Sequence, residues 1–174
     1  MRISEVKSLI REIPDFPKPG INFKDITPLL RNKEAFRFAI KRIAKRFNDK
    51  DIAVVASAES RGFIFGSALA YTMGTGFVPL RKPGKLPFKT LKEDFDLEYG
   101  KDAFEIHVDG ISRGDNVLLA DDVLATGGTA KAAANLIEKL GGKVSGIALL
   151  IELDFLKGRE KLNGYDVYSL ISYK

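Results

Sequence analysis

Cysteine is absent from the 174 residues, which excludes disulfides and thiolate metal sites and suits a cytosolic protein. No apolar run approaches the roughly 18 residues of a membrane span, so no membrane partner is expected. The start, Met1-Arg-Ile-Ser-Glu-Val-Lys7, is charged and lacks the apolar centre of a signal peptide. Cytoplasmic residence is the expectation. Neither a repeat nor a low-complexity tail divides the chain, so a single domain spanning 1–174 is expected, with room for a sizeable core. Histidine occurs once, at His107. It falls in Phe104-Glu-Ile-His-Val108, whose alternation puts it on the outward face of a strand, and it reads as a surface residue. Two phosphate-binding signatures are missing too: Gly-x-Gly-x-x-Gly after a strand, and Gly-x-x-x-x-Gly-Lys-[Ser/Thr].

What is present begins with charge. The net +5 admits nucleic acid or a small polyanion as partner. Most basic residues are spread over helical stretches, where a solvated face explains them. One cluster, Arg81-Lys82-Pro-Gly-Lys85, follows an apolar strand. No helix-turn-helix signal or separate basic domain appears, so nucleic acid is not expected.

The chain is organised around Val117-Leu-Leu-Ala-Asp-Asp-Val-Leu-Ala-Thr-Gly-Gly-Thr-Ala130. An apolar run predicts a buried strand, and apolar residues at helical spacing from Ala130 to Leu140 predict a helix. Between them lie two adjacent carboxylates and a glycine turn. Unpaired N–H groups and the dipole at a helix start favour a phosphate, and Gly127 and Gly128 have no side chains to hold it off. Asp121 and Asp122 would repel a bare phosphate. They become useful if the ligand also carries a diol, because a carboxylate accepts several hydroxyl hydrogen bonds, or if it brings Mg²⁺. Phosphate plus diol means a ribose phosphate. Taken singly, Asp-Asp or Gly-Gly reads more readily as a helix cap followed by a strand-edge loop than as a ligand site.

Along the rest of the chain, Ile3, Val6, Leu9 and Ile10 predict a short amphipathic helix. Three prolines between Pro14 and Pro19 then enforce an extended, turning path. The following Ile21–Pro28 segment reads either as an arm covering the core or as a stiff loop offering Phe23 to a flat base. Asn32 precedes a helix with Ala35, Phe36, Ala39, Ile40, Ile43, Ala44 and Phe47 on one face. Asp51–Ala56 predicts a buried parallel strand running into Ser57-Ala-Glu-Ser-Arg-Gly62 and a helix over about 63–73. Gly76–Leu80 is the next strand, and it delivers Arg81–Lys85 to the same edge. That edge, at the strand C-termini, is where open α/β sheets bind ligands. The topology is therefore expected to bring Arg61, Arg81, Lys82 and Lys85 toward Asp121–Thr129, cations suited to a pyrophosphate. Residues 88–100 read as an ordinary hairpin or as a lid. Val144–Leu153 and Asp166–Tyr173 complete the strands. The fold class expected is α/β, a mostly parallel central sheet with helices on both faces.

Val117–Thr129 resembles the phosphoribosyl-pyrophosphate (PRPP) motif of the type I phosphoribosyltransferases. From about Ile13 onward the likeness narrows to the adenine-using members of that family. Pro14–Gly20 and Phe23–Pro28 are similar to their base-recognition segment, which implies a small N-terminal hood over about 1–30. Glu59-Ser-Arg-Gly-Phe63 and Arg81–Pro87 are similar to their two pyrophosphate loops, and Leu97-Glu-Tyr-Gly100 to the tip of their flexible loop. Leu156–Leu162 matches as well, with no chemical task derivable from its residues.

The resemblance implies a type I phosphoribosyltransferase fold and transfer of phosphoribosyl from PRPP to adenine, giving AMP and pyrophosphate, with Mg²⁺ carried by PRPP. Asp121 and Asp122 would hold the ribose diol, and Ala125, Thr126, Gly127, Gly128 and Thr129 the 5′-phosphate. Glu59, Ser60, Arg61, Arg81, Lys82 and Lys85 would form the pyrophosphate site, with a cis peptide at Glu59–Ser60. Phe23 would stack on adenine while backbone groups near Asn22 and Lys24 read its edge. Glu98 would move the purine proton, with Tyr99 in the lid. A homodimer is implied by resemblance only. The alternatives are a phosphoribosyltransferase for hypoxanthine or guanine, and a non-catalytic PRPP-binding regulator. Lys24 stands where arginine is common, Asn22 where an apolar residue is, and Ala120 where Val or Ile is usual.

Overall fold

Parallel strands at the centre and antiparallel hairpins at the margins make up the computed structural model, which describes residues 1–97 and 100–174. The chain opens with α1 (Ile3–Lys7), shorter than the spacing predicts: Leu9 and Ile10 lie beyond it, yet Val6 and Ile10 are buried. β1 (Arg11–Ile13) and β2 (Phe23–Asp25) pair antiparallel across the proline-rich segment. The proline spacing foretold the turning path but not this pairing. Thr27–Arg31 forms α2, with proline in its first turn. Asn32 then caps α3 (Lys33–Arg46) as expected, its Oδ1 accepting the N–H groups of Glu34 and Ala35 at 3.1 Å each. Ala35, Ala39, Ile40, Ile43 and Ala44 are buried on one face of α3, with Phe47 just past its end.

β3 (Val54–Ala58) starts three residues later than the sequence suggests and is buried throughout. It leads into α4 (Arg61–Met73) and β4 (Gly76–Leu80). β5 (Thr90–Leu97) and β6 (Gly100–His107) pair antiparallel over their whole length, so the hairpin reading of this region holds. Glu98 and Tyr99 lie outside the described residues. β7 (Asn116–Leu124), α5 (Gly128–Lys139) and β8 (Lys143–Leu153) follow. Two 3₁₀ turns, η1 (Asp154–Leu156) and η2 (Gly158–Leu162), precede β9 (Val167–Tyr173).

The central sheet has the order β4-β3-β7-β8-β9 and every neighbouring pair in it is parallel. Residues 104–107 stand outside it. Their alternation buries only one side, Phe104 and Ile106, which suits a strand laid over a layer better than one buried on both faces. His107 is half-buried and not fully outward: its Nε2 accepts the Phe88 N–H at 3.4 Å, and the Phe88 ring is 6.2 Å away.

Period-two alternation sorts the sheet's side chains between two cores. Val55, Leu118, Ala120, Ala148 and Leu150 face α3 and α4. Val54, Ala56, Val117, Leu119, Ile147 and Leu149 face α5, with Phe104 and Ile106 of the hairpin in the same cluster. Helices therefore cover both faces. The hairpin is tied to α5 by Glu93, which accepts from Asn135 Nδ2 at 2.9 Å and pairs with Lys139. No helix among the described residues is long and apolar enough to cross a membrane.

Replacing the α3 cap tests this reading of local structure. Asn32→Ala is expected to lower unfolding free energy by about 1 kcal/mol, while Asn32→Asp keeps most of it. The measurement is the urea midpoint, and an unchanged midpoint in Asn32→Ala would show that the cap contributes nothing.

Candidate active site

Parallel strands put all their C-terminal ends on one edge. Successive connections leave β3 toward β4 on one side and β7 toward β8 on the other, so the sheet changes direction between β3 and β7. Open α/β sheets form their ligand crevice at such a point. Three segments leave the sheet at that edge: 59–60 after β3, 81–85 after β4, and residues 125–127 after β7.

Asp121 and Asp122 are the last polar pair on β7, and alternation sends them to opposite sides. Asp121 Oδ1 accepts the Asp122 N–H at 2.8 Å. Its other neighbour is Gly62 in the first turn of α4, where a Cβ would sit 2.7 Å from Asp121 Oδ1 and 2.7 Å from Ser57 Oγ. Glycine at 62 thus lets the helix start lie against the carboxylate. Ser57 is fully buried and donates to the Ala120 carbonyl at 2.6 Å, fixing β3 against β7. The small Ala120 is itself fully buried there.

Burial comes first in raising the Asp121 carboxyl well above its ordinary 3.8, and the Asp122 charge adds to it. Asp122 is only 5 % exposed. Burial raises its carboxyl as well, opposed chiefly by the Arg61 guanidinium. Arg61 Nε stands 2.7 Å from Asp122 Oδ2, but that oxygen has no hydrogen bond of good geometry. The contact is an ion pair without the directional bond.

Arg61 also looks the other way. Its guanidinium lies 4.9 Å from the centre of the Phe23 ring, a cation–π distance, and Phe16 meets the same ring edge-on at 5.2 Å. The reading of this segment as an arm covering the core holds. Lys24 and Ile26 are buried on the core side, while the Phe23 ring, one residue before Lys24, turns toward Arg61. Lys24 is anchored by Glu12 at 2.9 Å and by the Tyr173 ring at 4.4 Å. Asn22 Nδ2 donates to the same Glu12 at 2.7 Å. The side chains at 22 and 24 are thus taken up in holding the strand.

The phosphate-type cradle has the expected form. Gly127 caps α5 with φ 79°, a left-handed conformation that glycine adopts freely, and Gly128 begins the helix. Ala125, Thr126 and Thr129 flank the turn and are half-buried. The N–H groups of the first helical turn have no partner inside the helix.

Cations gather at this edge, but each described one is already engaged except the exposed Lys85 head. Glu59 accepts the Lys82 N–H at 2.5 Å and lies 3.4 Å from Arg81 Nε, a nitrogen that is buried without a hydrogen bond. Lys82 Nζ pairs with Asp102 on β6 and lies 4.8 Å from the Phe104 ring. The Glu59–Ser60 peptide is cis, as the resemblance implies. Sequence reasoning missed Asp102, Glu105 (whose backbone bonds Arg81 in both directions), Glu12 and Tyr173. None carries a local signal, because each is defined by a partner far away in the chain.

Residues 26–172 match the model of the phosphoribosyl transferase domain. The adenine phosphoribosyltransferase of Thermoanaerobacter sp. (strain X514) is 54 % identical over 173 residues, covering 99 % of this chain and all of that protein. The crystal structure of adenine phosphoribosyltransferase from Thermoanaerobacter pseudethanolicus superposes with a TM-score of 0.97 at 53 % identity, covering 99 % of this chain and 100 % of that one. The Saccharomyces cerevisiae enzyme, crystallised with adenine and an imino-altritol bisphosphate, gives 0.91 at 42 % identity over 97 % of each chain. Together with the five-stranded parallel sheet and the acid pair before its glycine turn, these matches decide the assignment: the chain belongs to the phosphoribosyltransferase family, among the adenine phosphoribosyltransferases.

Proposed function

We propose that the protein is a purine salvage enzyme that transfers the phosphoribosyl group of PRPP to N9 of adenine, releasing AMP and pyrophosphate. The observation that carries this reading is the run of contacts from Phe23 through Arg61 to Asp122, beside the glycine start of α5. A flat base, a diol and a phosphate would each find suitable chemistry within one crevice. Relatives of about half-identical sequence over the full chain carry the name of this activity.

In this proposal Asp121 and Asp122 accept the ribose hydroxyls, and residues 125–129 enclose the 5′-phosphate. Arg61, Arg81, Lys82 and Lys85 receive pyrophosphate, with Glu59 and Ser60 shaping that loop. Mg²⁺ enters with PRPP as part of the substrate. A divalent cation beside the acid pair would offset the mutual repulsion of two adjacent carboxylates. As the C1–pyrophosphate bond breaks, positive charge grows on the ribose and negative charge on the leaving group, and fixed cations stabilise the latter. N9 forms the new bond and gives up its proton, for which Glu98 is the proposed base. A second copy of the chain is proposed to complete a homodimer. The outer face of α4 supports this, with Ile64 exposed and Tyr71 90 % exposed. The cysteine-free composition fits the cytoplasm.

Three measurements test the assignment. With Mg²⁺ and PRPP, adenine is expected to become AMP, while hypoxanthine and guanine react about 10⁴-fold more slowly, since a site paired to one purine edge leaves groups unpaired against the other. Phe23→Ala should impair adenine use more than PRPP binding. Preferred turnover of hypoxanthine would sink the adenine assignment, and no turnover of any base would sink the enzyme.

Glu98→Gln should lower kcat by about 10²-fold with little effect on PRPP affinity; near-normal turnover at saturation would remove Glu98 from the chemistry.

The third concerns Asp121. Its carboxyl is raised above 3.8 in the folded protein. Between the ordinary and the raised value the native state keeps a proton that the unfolded chain has lost, so stability falls as pH rises through that window. Asp121→Asn should therefore raise the melting temperature at pH 7 and flatten its decline above pH 4, while PRPP binds more weakly by about 1.5–3 kcal/mol. A lower melting temperature at pH 7 would contradict this account of the buried acid.

A further inference from the structure

The Leu156–Leu162 segment has no role in the site as described so far, yet its backbone touches the phosphate loop. A Cβ on Gly158 would lie 2.1 Å from the Ala125 carbonyl oxygen and 2.9 Å from the Gly127 nitrogen. The approach is mutual: a Cβ on Gly127 would sit 2.3 Å from the Gly158 carbonyl oxygen. Two backbones meet here with no side chain between them.

The segment is also held rigidly from behind. Arg159 Nε donates to Glu152 Oε1 at 2.8 Å, Nη2 donates to the other carboxylate oxygen, and Nη1 donates to the Val167 carbonyl at 2.9 Å. Glu152, at the end of β8, is 5 % exposed, and Arg159 holds its carboxyl below the ordinary value. The fork of Arg159 thus spans β8 and β9 in a two-pronged geometry that a lysine cannot reproduce. At the far end of η2, Leu162 is buried in the core that contains Leu124, Ala130 and Ala134.

We propose that Gly158 is the backing against which residues 125–129 take up their anion-binding form, and that Arg159 is a positioning residue that keeps Gly158 there. A loop with Gly127 and Gly128 has more conformational freedom than any other kind, and N–H groups must converge on a phosphate within a fraction of an ångström to bind it well. Thr126 and Thr129 bring hydroxyls able to donate to a phosphate, but the glycines between them bring no side chain to freeze the turn. The Gly158 backbone, clamped through Arg159 to two strands, provides the missing restraint from outside. This rests on the reading of residues 125–129 as the 5′-phosphate loop.

The ratio of AMP to adenosine affinity isolates the 5′-phosphate, since both ligands share base and ribose. Calorimetry at 25 °C on Arg159→Ala, Arg159→Lys and the loop variant Thr126→Ala/Thr129→Ala measures it, with thermal unfolding in parallel. Arg159→Ala is expected to reduce the ratio about tenfold or more, with adenosine binding within about twofold of wild type. Arg159→Lys should fall between, and it alone decides the matter if Arg159→Ala does not fold. A ratio unchanged in folded Arg159 variants, while the loop variant lowers it, overturns the proposal and leaves the phosphate loop standing. Equal weakening of AMP and adenosine also overturns it, because that is general loosening. An unchanged ratio in the loop variant refutes the phosphate-loop reading itself.

Discussion

Two adjacent carboxylates at the C-terminal end of a buried strand are the constraint around which the rest of the site is built. Taking one ionised carboxylate out of water is costly, and two side by side cost more. The fold spreads that cost through the local backbone and one guanidinium. Asp121 leans on the Asp122 amide and on a helix start that only glycine permits. Asp122 faces Arg61, which also faces Phe23. The hood strand, the first turn of α4 and the end of β7 are consequently held in register by the same few atoms. The folded protein by itself leaves this pair imperfectly partnered, since Asp122 Oδ2 has no hydrogen bond.

The parts of this arrangement legible in the sequence are those with a local physical signature. Near-continuous apolar runs mark strands buried on both faces, and Val54, Val117 and Ile147 lie in them as expected. Asn32 marks a helix start because its side chain replaces lost backbone partners close by in the chain. The strand–acid–glycine–helix order of 117–130 is legible for the same reason: every element of it is contiguous. Pairings between distant segments left no such trace. Nothing near Lys82 foretells Asp102, and nothing near Lys24 foretells Glu12 and Tyr173. The central sheet could be inferred because parallel strands need crossover helices, which the sequence displays. The β1–β2 pairing spans a proline-rich loop whose composition describes only the loop.

Glycine carries a different kind of information. Gly62, Gly127 and Gly158 are each required by what another part of the chain does at that point: a carboxylate, a backbone carbonyl, a second loop. In the sequence, Gly127 was interpretable from its place before a helix, whereas Gly62 and Gly158 were not. Their reason is a close approach by atoms that are remote in sequence. A glycine tells the reader that something comes near without telling what, and only the packed structure supplies the other partner.

The cations of the site follow the same logic as the acids, with the sign reversed. Arg61, Arg81 and Lys82 stand within reach of Asp122, Glu59 and Asp102 respectively. Left unpaired at one strand edge they would repel one another, and Arg81 Nε already lacks a hydrogen bond. Pairing each with a carboxylate keeps the crevice close to neutral and its side chains in defined positions. A polyanionic ligand must then compete with those carboxylates for each cation, so part of its attraction is offset by the contacts it displaces. What remains is an arrangement that favours ligands able to engage several of these cations together. A lone anion would displace one pairing and gain little, whereas a polyanion spanning several loops would replace several pairings at once.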